Sequence, residues 1–168
     1  MTLSEVNALD RDGFVAALGG VFEHSPWVAE AAWHRRPFAS LDALHAAMVA
    51  AMRGAAEDTR LALVRAHPEL AGKAAIRGEL TADSTSEQSG AGLAHCSPGE
   101  FTRLHELNRE YNLKFGFPFI IAVKGLDRAA IIARFAERLE RDRPVEFEEA
   151  LRQIERIARL RLEALVDE

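Results

Sequence analysis

At 168 residues the chain is long enough to bury a sizeable core as one domain, and it needs no disulfide or structural metal to fold. A hydrophobic share of 48%, a charged share of 28% and a formal net charge of −5 suit a globular protein and exclude a general nucleic-acid footprint. The single cysteine, Cys96, excludes an internal disulfide and fits a reducing compartment.

No apolar run approaches the roughly 20 residues that a membrane span requires. The opening MTLSEVNALDRDG lacks the basic start and apolar stretch of a secretion signal, and the closing LVDE is no peroxisomal address. The expectation is a cytoplasmic protein with neither membrane nor nucleic acid as partner. Alanine, leucine, arginine and glutamate dominate the sequence and favour helix.

In chain order, Asp10 is the expected cap of a first helix ending near Val21. Ser25-Pro26 has the form of a cap followed by proline at the first helical position, opening a second helix that ends near His34. Ser40 caps a third, with Leu41, Leu44, Met48 and Met52 as its buried stripe. A fourth covers Ala56 to Ala66. Residues 67–83 are then interrupted by Pro68, Gly72 and Gly78, leaving room for a helical turn or two; irregular connections of this length are often functional.

A short helix is expected from Ser84 to about Leu93. Ser97 and Glu100 have capping-box spacing and open a helix that presents Phe101, Leu104, Leu107, Tyr111 and Phe115 on one face, until Gly116 stops it. The apolar run FPFIIAV (117–123) reads equally as a strand or a buried turn of helix, although no second strand candidate exists to pair with it. Asp127 caps a helix to Leu139, and a last helix runs from Val145 to Leu165. The total is about eight helices in one all-α bundle covering residues 1–168.

Three groups of polar residues bear on chemistry. Arg161 falls in a gap of the apolar stripe Phe147, Leu151, Ile154, Ile157 and Leu165, whereas Arg152, Arg156, Arg159 and Glu163 lie on another, solvated face. A guanidinium cannot shed its proton, so a buried Arg161 needs a carboxylate. A protein carboxylate would make it a structural ion pair, and a ligand carboxylate would make it a substrate clamp. Ser84 and Glu87 have capping-box spacing, which makes Glu87 a simple partner of the Ser84 N–H. Alternatively Ser84, Glu87 and Gln88 form a polar cluster suited to the edges of an amide-rich ring. His67, before Pro68, is either a dipole-favoured histidine at a helix end or a proton carrier at neutral pH. The sequence has no HExxH, paired-cysteine, GxSxG, Walker A or GxGxxG pattern, and the spacing of His67, His95 and His105 does not call for a metal.

The segments HPELAGK (67–73), LTADSTSEQSGAGL (80–93), LNREYNLKFGFPFIIAVKG (107–125) and IARLRLEAL (157–165), with SPW (25–27) and RPF (36–38), resemble the 2-oxo-4-hydroxy-4-carboxy-5-ureidoimidazoline (OHCU) decarboxylases. This resemblance implies an all-helical, cofactor-free and metal-free enzyme of urate degradation, acting on a small-molecule substrate to give (S)-allantoin. By matching motifs it also implies catalytic roles for His67, Glu87 and Arg161. Pro68, Ser84 and Gln88 and the backbone around Phe117, Phe119 and Ile120 then line the substrate pocket. A homodimer is implied as well. Without these motifs the chain would read as a helical interaction module docking a partner through its apolar segments.

Overall fold

The computed structural model describes residues 1–167. Glu168, the last residue of the LVDE ending, and the side chains of Lys73 and Ala74 lie outside the described residues. Among the described residues there are ten α-helices, one short 3-10 turn and a single isolated bridge between Thr2 and Asp167, so the all-α expectation holds. No helix among them is long and apolar enough to cross a membrane.

The chain packs as two compact units, residues 1–66 with 154–167 and residues 67–153. The first begins with α1 (Leu3–Ala8), a helix absent from the expected set, closed by a capping box between Thr2 and Glu5. The same hydrogen bonds to Thr2 hold the Glu5 carboxyl below its usual range. Next come α2 (Arg11–Leu18), capped by Asp10, and α3 (Trp27–Trp33). The expected Ser25 cap is not formed: the Ser25 hydroxyl donates back to the Glu23 carbonyl, and α3 has no side-chain cap.

Ser40 does cap α4 (Leu41–Gly54), where Leu41, Leu44, Met48 and Met52 are buried as read from the sequence, with Ala47 beside them. Helix α3 packs against both α2 and α4. The unit continues with α5 (Glu57–Arg65) and takes in the C-terminal part of α10 (Arg143–Leu165). Along α10 the buried residues are Glu146, Ala150, Leu151, Ile154, Ile157, Ala158, Arg161 and Leu162. Leu165, the final helical residue, is exposed instead, and Phe147 is only half-buried.

The second unit holds α6 (Lys73–Arg77), α7 (Ala82–Gly90), the 3-10 turn Leu93–His95, α8 (Pro98–Phe115), α9 (Arg128–Leu139) and the start of α10. Helix α6 falls in the stretch expected to be mostly irregular; together with α1 it raises the total above eight. Helix α8 packs on α9 and opens with the expected Ser97–Glu100 capping box. It ends at Gly116, whose φ of 76° is the left-handed geometry glycine adopts without strain. Leu104, Leu107, Tyr111 and Phe115 are buried as expected, but Phe101 is exposed, its ring stacked on His105, and Asn108 points inward.

Candidate active site

His67 follows α5 in the chain and is 93% buried, its relative exposure being 7%. The loop it opens is tightly folded. Ala71 sits at φ 48°, a conformation that costs a non-glycine residue about 1–2 kcal/mol. At Gly72 an added Cβ would meet the Glu69 side chain at 2.6 Å, so only glycine fits. Such strain persists only where neighbours over-determine the geometry.

Those neighbours are amide side chains from α7 and α8. Gln88 Oε1 accepts from the Ala71 N–H at 3.0 Å, and Gln88 Nε2 donates to the Glu69 carbonyl at 3.3 Å. Asn108 Nδ2 donates to the Leu70 carbonyl at 2.9 Å, and Asn112 Nδ2 to Glu69 Oε1 at 2.6 Å. The His67-Pro68 loop and the SxxEQ helix, two of the three motif groups, are thereby bonded to each other. Pro68 itself is half-buried.

Helix α7 begins earlier than expected. Its cap is Thr81, whose Oγ1 accepts from the Ser84 N–H at 3.3 Å. Ser84 is therefore the third helical residue and not a cap, and the capping-box reading of Ser84 and Glu87 does not hold. The steps 84, 87 and 88 place the three residues on one helix face. Ser84 and Gln88 are buried, and Glu87 is half-buried.

Residues 117–123 form neither strand nor helix. They run as buried irregular chain between the Gly116 stop and the Asp127 cap of α9. The Phe117 and Phe119 rings belong to an aromatic cluster: Phe119 stacks on Phe135 at 3.9 Å, and Tyr111 meets both Phe117 and Phe119 edge-on. The main chain is pinned from two sides. Arg138 Nη1 donates to the Ile120 carbonyl at 2.7 Å, and the Ala122 N–H donates to Gln153 Oε1 at 2.9 Å.

Arg138 and Glu146 form a buried ion pair at 3.0 Å, and the Tyr111 hydroxyl donates to Glu146. Burial first, and the Glu146 carboxylate second, push the Tyr111 phenol well above its ordinary range. This network escaped the sequence reading, yet its signal was present. Arg138 follows Ile131 and Phe135 on the buried face of α9, the same pattern that singled out Arg161.

Arg161 lies in the first unit and is buried to 5% exposure. Its Nη1 donates to Glu23 Oε2 at 2.8 Å and to the Gly20 carbonyl at 3.3 Å, and Glu23 is itself 2% exposed. The carboxylate that Arg161 required is thus supplied within the protein, at a position the sequence reading did not identify.

Other chemistry finds little support here. Burial and the neighbouring Glu100 push the Cys96 thiol up, away from the reactive thiolate. Among the described residues no group of three or more histidine, cysteine or carboxylate side chains could hold a metal ion. A surface hollow lined by Phe101, Thr102, His105, Glu106 and Arg109 of α8 contains none of the candidate residues.

A family model described as OHCU decarboxylase matches residues 7–163. The 2-oxo-4-hydroxy-4-carboxy-5-ureidoimidazoline decarboxylase of Halalkalicoccus jeotgali is 41% identical over 165 residues, covering 98% of this chain and 92% of that one. A crystal structure of (S)-allantoin synthase superposes with a TM-score of 0.79 at 28% identity, over 99% of this chain and 54% of that one. A crystal structure of OHCU decarboxylase in the presence of (S)-allantoin gives 0.69 at 25% identity, over 94% of this chain and 98% of that one. With likeness of this extent in sequence and in fold, the chain belongs to the OHCU decarboxylase family.

Proposed function

We propose that this chain decarboxylates 2-oxo-4-hydroxy-4-carboxy-5-ureidoimidazoline to (S)-allantoin and CO2, a step of urate degradation, without a cofactor. The observation that carries this reading is the match to a named decarboxylase over 98% of the chain. The hydrogen bonds that tie the His67 loop to α7 add to it.

In the proposed reaction the bond between ring carbon and carboxylate breaks, and its electron pair stays on carbon. The carbonyl and nitrogen groups of the substrate's own ring can delocalise that pair, so the protein need only position the substrate, stabilise charge and deliver a proton. His67 and Glu87 polarise the hydroxyl and ring around the reacting carbon and manage the proton. Protonation from one face gives one enantiomer. Ser84, Gln88, Pro68 and the main chain of Phe117, Phe119 and Ile120 hold the ureido and ring amides; the two phenylalanine rings are occupied by core packing. Arg161 orients the anionic substrate, and its contacts with Glu23 and Gly20 preset the guanidinium. Its attraction must not simply hold the departing carboxylate, because tighter ground-state binding would slow its loss.

The working form is proposed to be a homodimer, on the family resemblance alone, and to be cytoplasmic, on the cysteine usage and the absence of a recognisable signal in the sequence; the mass of the purified protein in solution tests the stoichiometry. The reaction is tested with freshly hydrolysed urate-oxidation product. Acceleration of CO2 release with formation of the S enantiomer of allantoin alone supports the enzyme. Verified substrate with racemic product at the spontaneous rate favours the interaction module instead.

A further inference from the structure

We propose that Asn108 is a positioning residue for the reaction, fixing the loop that carries His67 from the rigid side of α8. This rests on the reading of His67 as a catalytic group.

Helix α8 is closed at both ends, by the Ser97–Glu100 box and by Gly116, which makes it a stiff platform. Asn108 occupies an inward position of that helix between Leu104, Leu107 and Tyr111, where packing alone would favour leucine or methionine. It is an amide with 3% exposure. Its Nδ2 reaches the Leu70 carbonyl, between Glu69 and Ala71, which Gln88 holds from the side of α7. Its Oδ1 is buried without a hydrogen-bond partner. A half-satisfied buried amide is unfavourable by itself, so packing does not explain it. The bond to Leu70 does: it locks the carbonyl next to the left-handed Ala71, three residues from His67. Asn112, one turn on, reaches the same loop through Glu69.

The test compares Asn108→Leu and Asn108→Asp with the wild type, measuring kcat, KM, the pH profile of kcat and thermal unfolding. Asn108→Leu keeps the branched shape and removes the donor. The expected result is a folded protein with kcat lowered at least about 10-fold, as sub-ångström misplacement of a catalytic group produces, and KM within about twofold. Asn108→Asp presents an oxygen to the Leu70 carbonyl at neutral pH, and regains a donor only when protonated. Its kcat relative to wild type is therefore expected to recover as pH falls, a response that a purely structural role would not give. Should Asn108→Leu fail to fold, the pH response of Asn108→Asp decides.

His67→Ala is measured beside them. An inactive His67→Ala together with wild-type kcat in Asn108→Leu overturns the positioning role alone. So does a flat relative pH response in Asn108→Asp. A fully active His67→Ala overturns the reading of His67 and this inference with it.

Discussion

Arg161 and Glu23 illustrate how much one residue's surroundings decide. Taking two charges out of water is expensive, and a buried pair survives only with close geometry, here 2.8 Å with both side chains nearly inaccessible. Arg161→Ala removes the guanidinium from a buried carboxylate, which typically costs about 3–5 kcal/mol and will appear as a lowered denaturation midpoint. Stability alone does not separate a structural pair from a substrate clamp. The double variant Arg161→Met, Glu23→Leu removes both charges, so much of the lost stability should return. If Arg161 orients the substrate, KM of the double variant stays raised at least about 10-fold, the loss of one charge-assisted bond. A normal KM there would assign Arg161 to the fold only. That Arg161 must have a carboxylate followed from its place in the stripe. That the carboxylate is Glu23, 138 residues away, did not, because no local spacing connects them. Asn108 was missed for a related reason: a polar residue in an apolar stripe reads as an interruption until its partner at Leu70 is seen.

At the scale of elements, caps were legible where one candidate stood alone, except at Ser25, whose hydroxyl turns back to the Glu23 carbonyl. Asp10, Ser40, Ser97 and Asp127 each precede a clear apolar period, and each accepts the expected backbone N–H. The sequence TADSTS offers several capping side chains in a row, and spacing could not choose Thr81 over Ser84. Taking Ser84 as the helix start is what made a capping box one of the two readings of Ser84 and Glu87. The 117–123 run escaped classification because its order comes from Arg138 and Gln153 and not from a regular backbone ladder. The network that links α8, α9 and α10 through Tyr111, Arg138 and Glu146 yields a pH prediction. Tyr111 has its phenol pKa raised in the folded protein, by burial above all. Unfolded tyrosine ionises near pH 10, so above that pH the unfolded chain loses a proton the folded one keeps. The stabilisation is fully present below about pH 10 and is lost as pH rises beyond it. Tyr111 is the only tyrosine, so no other phenol contributes, and the fall due to the raised Cys96 thiol is left in place by Tyr111→Phe. Tyr111→Phe should flatten the alkaline fall in the urea midpoint; an undiminished fall would contradict the burial of that hydroxyl beside Glu146.

For the whole molecule, helix class followed from composition and from the lack of any second strand candidate, and the helices past position 97 began and ended close to their expected limits. The two extra helices, α1 and α6, have six and five residues, too short to display an apolar period. The site was legible mainly as motifs. The chemistry of His67, Glu87 and Arg161 could be argued one residue at a time, but their common task was read from the resemblance. What the structure adds is physical: a strained loop behind His67, the amides that hold it, and a buried guanidinium paired with Glu23. The most direct measurement of the central claim is turnover of the unstable substrate by purified His67→Ala and Glu87→Gln, each verified as folded and compared with the wild type. Loss of at least about 10²-fold in CO2 release, with loss of single-enantiomer product, is the predicted result. Wild-type turnover to optically pure allantoin by either variant would contradict the role assigned to that residue.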